Sequence, residues 1–200
     1  MIINVIRSSL NIEDADNYEL TDFFINEGRK RFKNIQFVQK DLLKKDISKN
    51  YDLIILSDII EHVEDDTGMI KKALEYSKYV ALKIPIEKFL FSKLFEFIGV
   101  KDKIGATHSA GHLHEYSTSS VWNLFKKIDM EIMDFFFNQM NPEDTEFVLD
   151  CKKRLNFVQK IYRKFKLSLF SHLPKKQYCK VFGGSFFILI KSKGVLEWKI

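Results

Sequence analysis

Hydrophobic positions along this 200-residue chain change period several times, and each change marks an element. Residues 20–32 place Leu20, Phe23, Phe24 and Phe32 among charges, which predicts a helix stopping near Asn34. Residues 35–38 then alternate as a short strand that ends before Asp41, and 44–50 form a polar connection. The run 53–56 is apolar without alternation, as in a parallel strand covered on both faces. Asp65, Asp66 and Thr67 offer N-caps to a helix through Met69, Ile70, Ala73 and Leu74, after which 79–84 reads as a buried strand halted by Pro85.

The second half is less regular. Residues 87–98 are amphipathic, and 99–111 form a loop carrying Gly99, Gly105, His108 and Gly111. Ser117 to Ser120 cap a helix near 121–127, and 131–137 is a strand. From Asp144 to about Leu173 the residues Leu155, Val158, Ile161, Tyr162, Phe165 and Leu169 recur at three-to-four spacing beside Lys160, Arg163, Lys164 and Lys166, a basic amphipathic helix. Gly183 and Gly184 turn the chain into a strand over 185–191. The first fifteen residues hold an apolar scrap and then a polar stretch, with no strong element.

Strands alternating with helices predict an α/β fold with a mostly parallel sheet, and such sheets hold ligands at the carboxyl ends of their strands. Ser57, Asp58, Glu61 and His62 follow the most apolar strand and fall at that end. The plainer alternative makes Asp58 a helix cap and the Glu61-His62 pair solvated helix surface.

Composition narrows the class. A chain with 46% hydrophobic and 30% charged residues builds one globular domain, here 1–200, with 1–15 a poorly defined remnant and 144–176 a basic helical insert. Cys151 and Cys179 form no C-x-x-C pair, which leaves a disulfide scaffold and a cysteine zinc site without support and fits a reducing cytoplasm. The first residues are too short and polar for a signal peptide, and no apolar run spans a bilayer. The net charge of +5 is uneven: residues 151–200 hold 13 Lys or Arg against Glu197 alone, net +12, while the other 19 bases and 26 acids leave −7 on residues 1–150. A basic segment on an acidic domain points to an anionic partner or to a solvated helix.

An acid after an early strand (Asp41), a D-x-x-E-H segment (Asp58 to His62) and an H-x-H-E-Y-S segment (His112 to Ser117) together resemble the class I S-adenosylmethionine-dependent methyltransferases. The resemblance runs from about Asp16 to the final strand. It implies a Rossmann-like sheet with helices on both faces, S-adenosylmethionine as cofactor, and methyl transfer to an oxygen or nitrogen of a small-molecule, lipid-linked or glycan acceptor. On the stretch 34–43 it gives Asp41 the adenine amine and lays Leu42 against the ring. Ser57 and Asp58 would line the methionine end, and Asp16 would take the ribose. The chain departs from the family at its start, where a strand and a G-x-G-x-G turn are expected and no glycine precedes Gly28. The fold is therefore expected to be N-terminally incomplete, and the cofactor to bind weakly or not at all. Strands ending near Val38 and spanning 53–56 would flank the gap, which predicts self-association through exposed sheet.

Methyl transfer needs an aligned acceptor and a base for its proton, and His62 and His112 are the candidates. Alternatively Asp58, Glu61, His62 and His112 ligate one divalent cation, Mg²⁺, Mn²⁺ or Zn²⁺, an arrangement similar to that of metal-dependent RNA 2′-O-methyltransferases. Glu61 and His62 as packing residues is the competing reading. His108 reads as solvated and His172 as a helix-dipole partner. The basic stretch 152–176 is either a membrane-surface element, placing the protein at the membrane periphery, or a helix packed on the sheet. Nucleic acid is disfavoured, because Phe157, Tyr162 and Phe165 follow core spacing. A non-catalytic methyltransferase-like binding module remains the rival to an enzyme.

Overall fold

A computed structural model describes residues 12, 14–41, 47, 49–90, 111–139 and 172–193. The chain falls into two compact units, Met1–Asn50 and Tyr51–Ile200.

The first unit is a strand-helix-strand motif. Strand β1 (Asp16–Glu19), helix α1 (Asp22–Arg31) and strand β2 (Gln36–Gln39) follow in order, and the strands pair in parallel from Asp16↔Gln36 to Glu19↔Gln39. Helix α1 opens with Asp22 and closes with Arg29, Lys30 and Arg31, charges that suit the two ends of its dipole. It buries Ile25 and Gly28 and packs against Ile35 and Phe37. A Cβ on Gly28 would run into the Phe37 ring, so the missing side chain sets how closely helix and strand approach. Strand β1 falls where no strong element was expected.

The second unit is a four-stranded sheet in the order β3-β4-β6-β5. Strand β3 (Tyr51–Ser57) pairs in parallel with β4 (Ser77–Ile86); β4 and β5 (Met130–Asn138) each pair antiparallel with β6 (Gly184–Ser192). Strand β4 buries Val80, Leu82, Ile84 and Ile86 in strict alternation, and β6 does the same with Phe186, Ile188 and Ile190. Residues 53–56 were expected to lie in a central strand, but among the described residues β3 pairs only with β4, and Leu56 is its one buried residue.

Helix α2 (Asp66–Tyr76) joins β3 to β4. The Asp65 carboxylate caps it by accepting the Gly68 N–H at 2.7 Å, and Met69, Ile70, Ala73 and Leu74 form its buried face. Pro85 lies inside β4 instead of halting it. The Lys83 carbonyl accepts from Asp58 N, so by two-residue alternation the Pro85 nitrogen faces the same side, beyond the last paired residue of β3, and no ladder bond is lost.

Helix α3 (Val121–Phe125) starts from a serine turn in which Ser120 N–H donates to Ser117 Oγ and Ser117 N–H to Ser120 Oγ, the reciprocal pattern of a capping box. Helix α4 (Lys175–Phe182) follows Pro174, buries Tyr178, Cys179 and Phe182, and ends at Gly183, whose φ of 77° suits glycine. It begins where the long basic helix was expected to finish; most of that helix, residues 144–171, lies outside the described residues, as do 91–98 of the amphipathic segment. No described helix is long and apolar enough to cross a membrane.

Candidate active site

The chemistry-bearing residues of the second unit gather at the carboxyl ends of β3 and β4. Strand β3 delivers Ser57 and then Asp58, whose φ of 54° is the only positive value among the described non-glycine residues. Backbone in the left-handed region is uncommon even for Asp, and it turns the chain sharply off the strand. The Asp58 carboxylate is held by Lys83 Nζ at 2.6 Å and accepts the Ser57 hydroxyl at 3.2 Å. A 3₁₀ turn over Ile60–His62 follows.

The segment 111–116 is laid over that turn by backbone bonds. Leu113 N and His114 N both donate to the Glu61 carbonyl, at 2.7 and 3.1 Å. His114 Nε2 lies 2.9 Å from the Val63 carbonyl, and the Tyr116 hydroxyl donates to Asp66 at 2.8 Å. Burial and the Asp66 carboxylate both push the Tyr116 phenol above its usual range, so it stays a donor. At its far end the segment meets β4: Glu87 N and Lys88 N donate to the Tyr116 carbonyl.

This fastening brings His112 against His62, with ring centroids 4.5 Å apart in an edge-to-face arrangement. His112 Nδ1 lies 2.9 Å from Glu87 Oε2, one residue beyond β4. With the Nδ1–H donating to that carboxylate, Nε2 keeps its lone pair. Glu61 is 1% exposed, and among the described residues neither of its carboxylate oxygens has a hydrogen-bond partner. Burial raises its pKa to about 7; Asp58 and Glu87 add in the same direction, and the amide of Glu61 itself and His112 oppose it. A ligand atom from each of Glu61, His62 and His112 lies within 4.8 Å of the other two.

Of the four residues considered as cation ligands, the structure thus assembles Glu61, His62 and His112. Asp58 is engaged by Lys83 and is not one of the trio. Glu87 and Lys83 were not anticipated. Lys83 looks in the sequence like a polar break within a strand, and Glu87 follows the proline read as a strand end.

In the first unit Asp41 lies two residues past β2, at the carboxyl end of the β1-β2 pair. Asp16 does not follow β1 but opens it, at the opposite end, with Lys49 Nζ 2.7 Å from its carboxylate. Three residues of strand, about 10 Å, separate it from Glu19. Glu19 closes β1 level with Gln39, and its Oε1 accepts Leu20 N and Thr21 N. It stands where a carboxylate after this strand would be sought. Leu42 lies outside the described residues.

Solved structures similar to this chain share its architecture. A methyltransferase from Bacillus halodurans, titled putative, matches with a TM-score of 0.56 at 12% identity, over 94% of this chain and 87% of its own. The plantazolicin methyltransferase BpumL, crystallised with S-adenosylhomocysteine, matches with a TM-score of 0.57 at 13% identity, over 96% of this chain and 73% of its own. The O-MT segment of StiE matches with a TM-score of 0.53 at 12% identity over 96% of this chain, which spans 64% of that segment. The fold is that of the class I S-adenosylmethionine-dependent methyltransferases, as the sequence resemblance implied. A structure titled as the [4+2]-cyclase SpnF also matches, with a TM-score of 0.58, so the fold alone does not fix the reaction. No known protein family's profile matches the chain, and no curated protein sequence does.

Proposed function

We propose that this protein transfers a methyl group from S-adenosylmethionine to an oxygen of a small-molecule, lipid-linked or glycan acceptor. The observation that carries the reading is the cluster of Glu61, His62 and His112 at the carboxyl end of β3, directly after the strained Asp58.

The residues present suit the cofactor's polar groups. Asp41 and Glu19 share the carboxyl end of the β1-β2 pair, where carboxylates accept from an adenine amine and from ribose hydroxyls. Within the second unit taken by itself, Ser57 and Asp58 end β3 with a hydroxyl and a carboxylate of the kind that binds an amino-acid group. The cofactor supplies an electrophilic methyl group on a sulfonium. The chain aligns the acceptor and removes its proton. His112, with Nδ1–H fixed on Glu87, presents Nε2 as a base, and the Glu87 carboxylate stabilises the imidazolium that forms. His62 sits on the edge of the same ring and closes one side of the acceptor's position. His112 Nε2 would take the acceptor's proton as the acceptor oxygen receives the methyl group.

Calorimetric titration of the chain with S-adenosylmethionine and S-adenosylhomocysteine tests the reading. Saturable binding of both, lost in Asp58→Ala, supports it. Failure of both to bind overturns it.

A further inference from the structure

We propose that Glu61, His62 and His112 form a three-ligand site for a divalent transition-metal ion. Three independent features of the cluster lead there. Both Glu61 oxygens are buried, and among the described residues neither has a hydrogen-bond partner, an uncommon state for a buried carboxyl group. The group is aimed into a space that two imidazoles also face, since one ligand atom of each residue lies within 4.8 Å of the others. A cation bound at 2.0–2.2 Å brings its donors to roughly 3.3 Å from one another. Closing that distance needs only a modest rotation of His62, which is exposed.

The surroundings of the two histidines match those of metal ligands. His112 gives Nδ1–H to Glu87 at 2.9 Å, which sets its tautomer and aims Nε2. His62 Nδ1 lies 3.4 Å from the Gly111 carbonyl, a longer contact that selects the same tautomer. The two ligand-bearing segments are fixed to each other by the Leu113 and His114 amides on the Glu61 carbonyl, so the site is assembled before any ion arrives. Glu87, behind His112, adds negative charge nearby that favours a cation, whereas the charge of Asp58 is offset by Lys83 at 2.6 Å.

Ligand chemistry narrows the ion. Two imidazoles and one carboxylate suit Zn²⁺, Co²⁺, Mn²⁺ or Fe²⁺, whereas Mg²⁺ prefers an all-oxygen shell and gives up its water reluctantly. Three protein ligands leave a coordination position open, as at catalytic and not structural sites. With the ion in place the imidazole lone pairs would hold metal, and the open position would supply Lewis-acid chemistry, lowering the pKa of an acceptor hydroxyl whose proton would pass to solvent instead of to His112. That last role rests on the methyl-transfer reading; the binding of the ion does not.

The test uses the full chain stripped with chelator and titrated calorimetrically with Zn²⁺, with Mg²⁺ in parallel and Co²⁺ followed by its visible absorption. One Zn²⁺ per chain is expected, with the saturable phase lost in His62→Ala and in His112→Ala. Glu87→Gln should weaken binding by ~10–100-fold, and His172→Ala should leave it unchanged. Far-ultraviolet circular dichroism checks that each variant is folded; His62→Ala, at an exposed position, keeps the test valid if a buried variant does not fold. Absence of saturable Zn²⁺ binding overturns the proposal, as does binding that survives both histidine variants. A folded Glu61→Gln with undiminished affinity also overturns it, and shows that the carboxyl group simply holds a proton. No cofactor is present in these titrations, so a negative result leaves methyl transfer standing, and failure to bind S-adenosylhomocysteine leaves the metal site standing.

Discussion

The His62 and His112 rings meet edge to face with centroids 4.5 Å apart, although the two residues are fifty positions apart in the chain. Their contact depends on two amides, Leu113 N and His114 N, that dock on the carbonyl of Glu61. The same docking places His112 on Glu87, and this gives a first measurable consequence. In the neutral ring the ¹⁵N signals of His112 should show a protonated Nδ1 and a pyridine-like Nε2, and Glu87→Gln should convert part of the population to the other tautomer. A ring that is mainly Nε2-protonated in the wild-type chain would contradict the arrangement.

Glu61 makes stability depend on pH. Its folded pKa of about 7 lies above the ordinary value of 4.5, so between these limits the folded state binds more protons than the unfolded one. Stability of the metal-free chain therefore falls as pH rises through that window. The cost is absent below pH 4.5 and complete above about 7, where it reaches about 3 kcal/mol. Other ionisable groups lie close by, which makes Glu61→Gln the proper comparison. Denaturant melts in chelator should show the wild type losing stability relative to Glu61→Gln between pH 4.5 and 7; parallel curves would refute the shift.

Asp58 separates stability from function. Glycine at this position relieves a left-handed backbone, worth about 1 kcal/mol, and gives up a partly exposed ion pair with Lys83 worth up to about 1 kcal/mol. The melting behaviour of Asp58→Gly should thus stay within about 1 kcal/mol of wild type, while S-adenosylhomocysteine binding falls. Asp58→Val, a branched side chain at φ 54°, should destabilise the fold as well. Equal stability of the two variants would show that the backbone strain is unimportant.

The two carboxylates of β1 should differ in their effect on the cofactor. Glu19→Gln removes a charged acceptor at the carboxyl end and should weaken S-adenosylhomocysteine ~10–100-fold. Asp16→Asn, about 10 Å away along the strand, should leave affinity unchanged. Calorimetry on the pair decides between them, and the opposite ranking would restore Asp16 to the ribose position.

Legibility in the sequence followed the clarity of each local signal. Helix α2 announced itself through Asp65 and a buried face at helical spacing, and β4 and β6 through dense apolar character. Strand β1 was invisible because Asp16, Asn17, Tyr18 and Glu19 carry no apolar alternation and are only half-buried. That omission read Asp16 as following a strand that it opens. Pro85 was given its usual breaking role, which fails where its nitrogen points past the end of the neighbouring strand. Of the site, Glu61, His62 and His112 were readable as a group because the adjacent Glu-His pair and the later histidine segment are compact in sequence. The partners that position them were not: Lys83 and Glu87 acquire meaning only once β4 is seen to end beside the turn that follows β3.

Strand β6 lies between β4 and β5 although it is translated after both. While the ribosome is still adding residues before Gly184, β4 and β5 have no common neighbour to zip onto, and β5 exposes Phe135 and Phe136. The nascent chain must therefore carry β5 unpaired until the residues of β6 have been added, a window in which chaperone capture competes with self-adhesion.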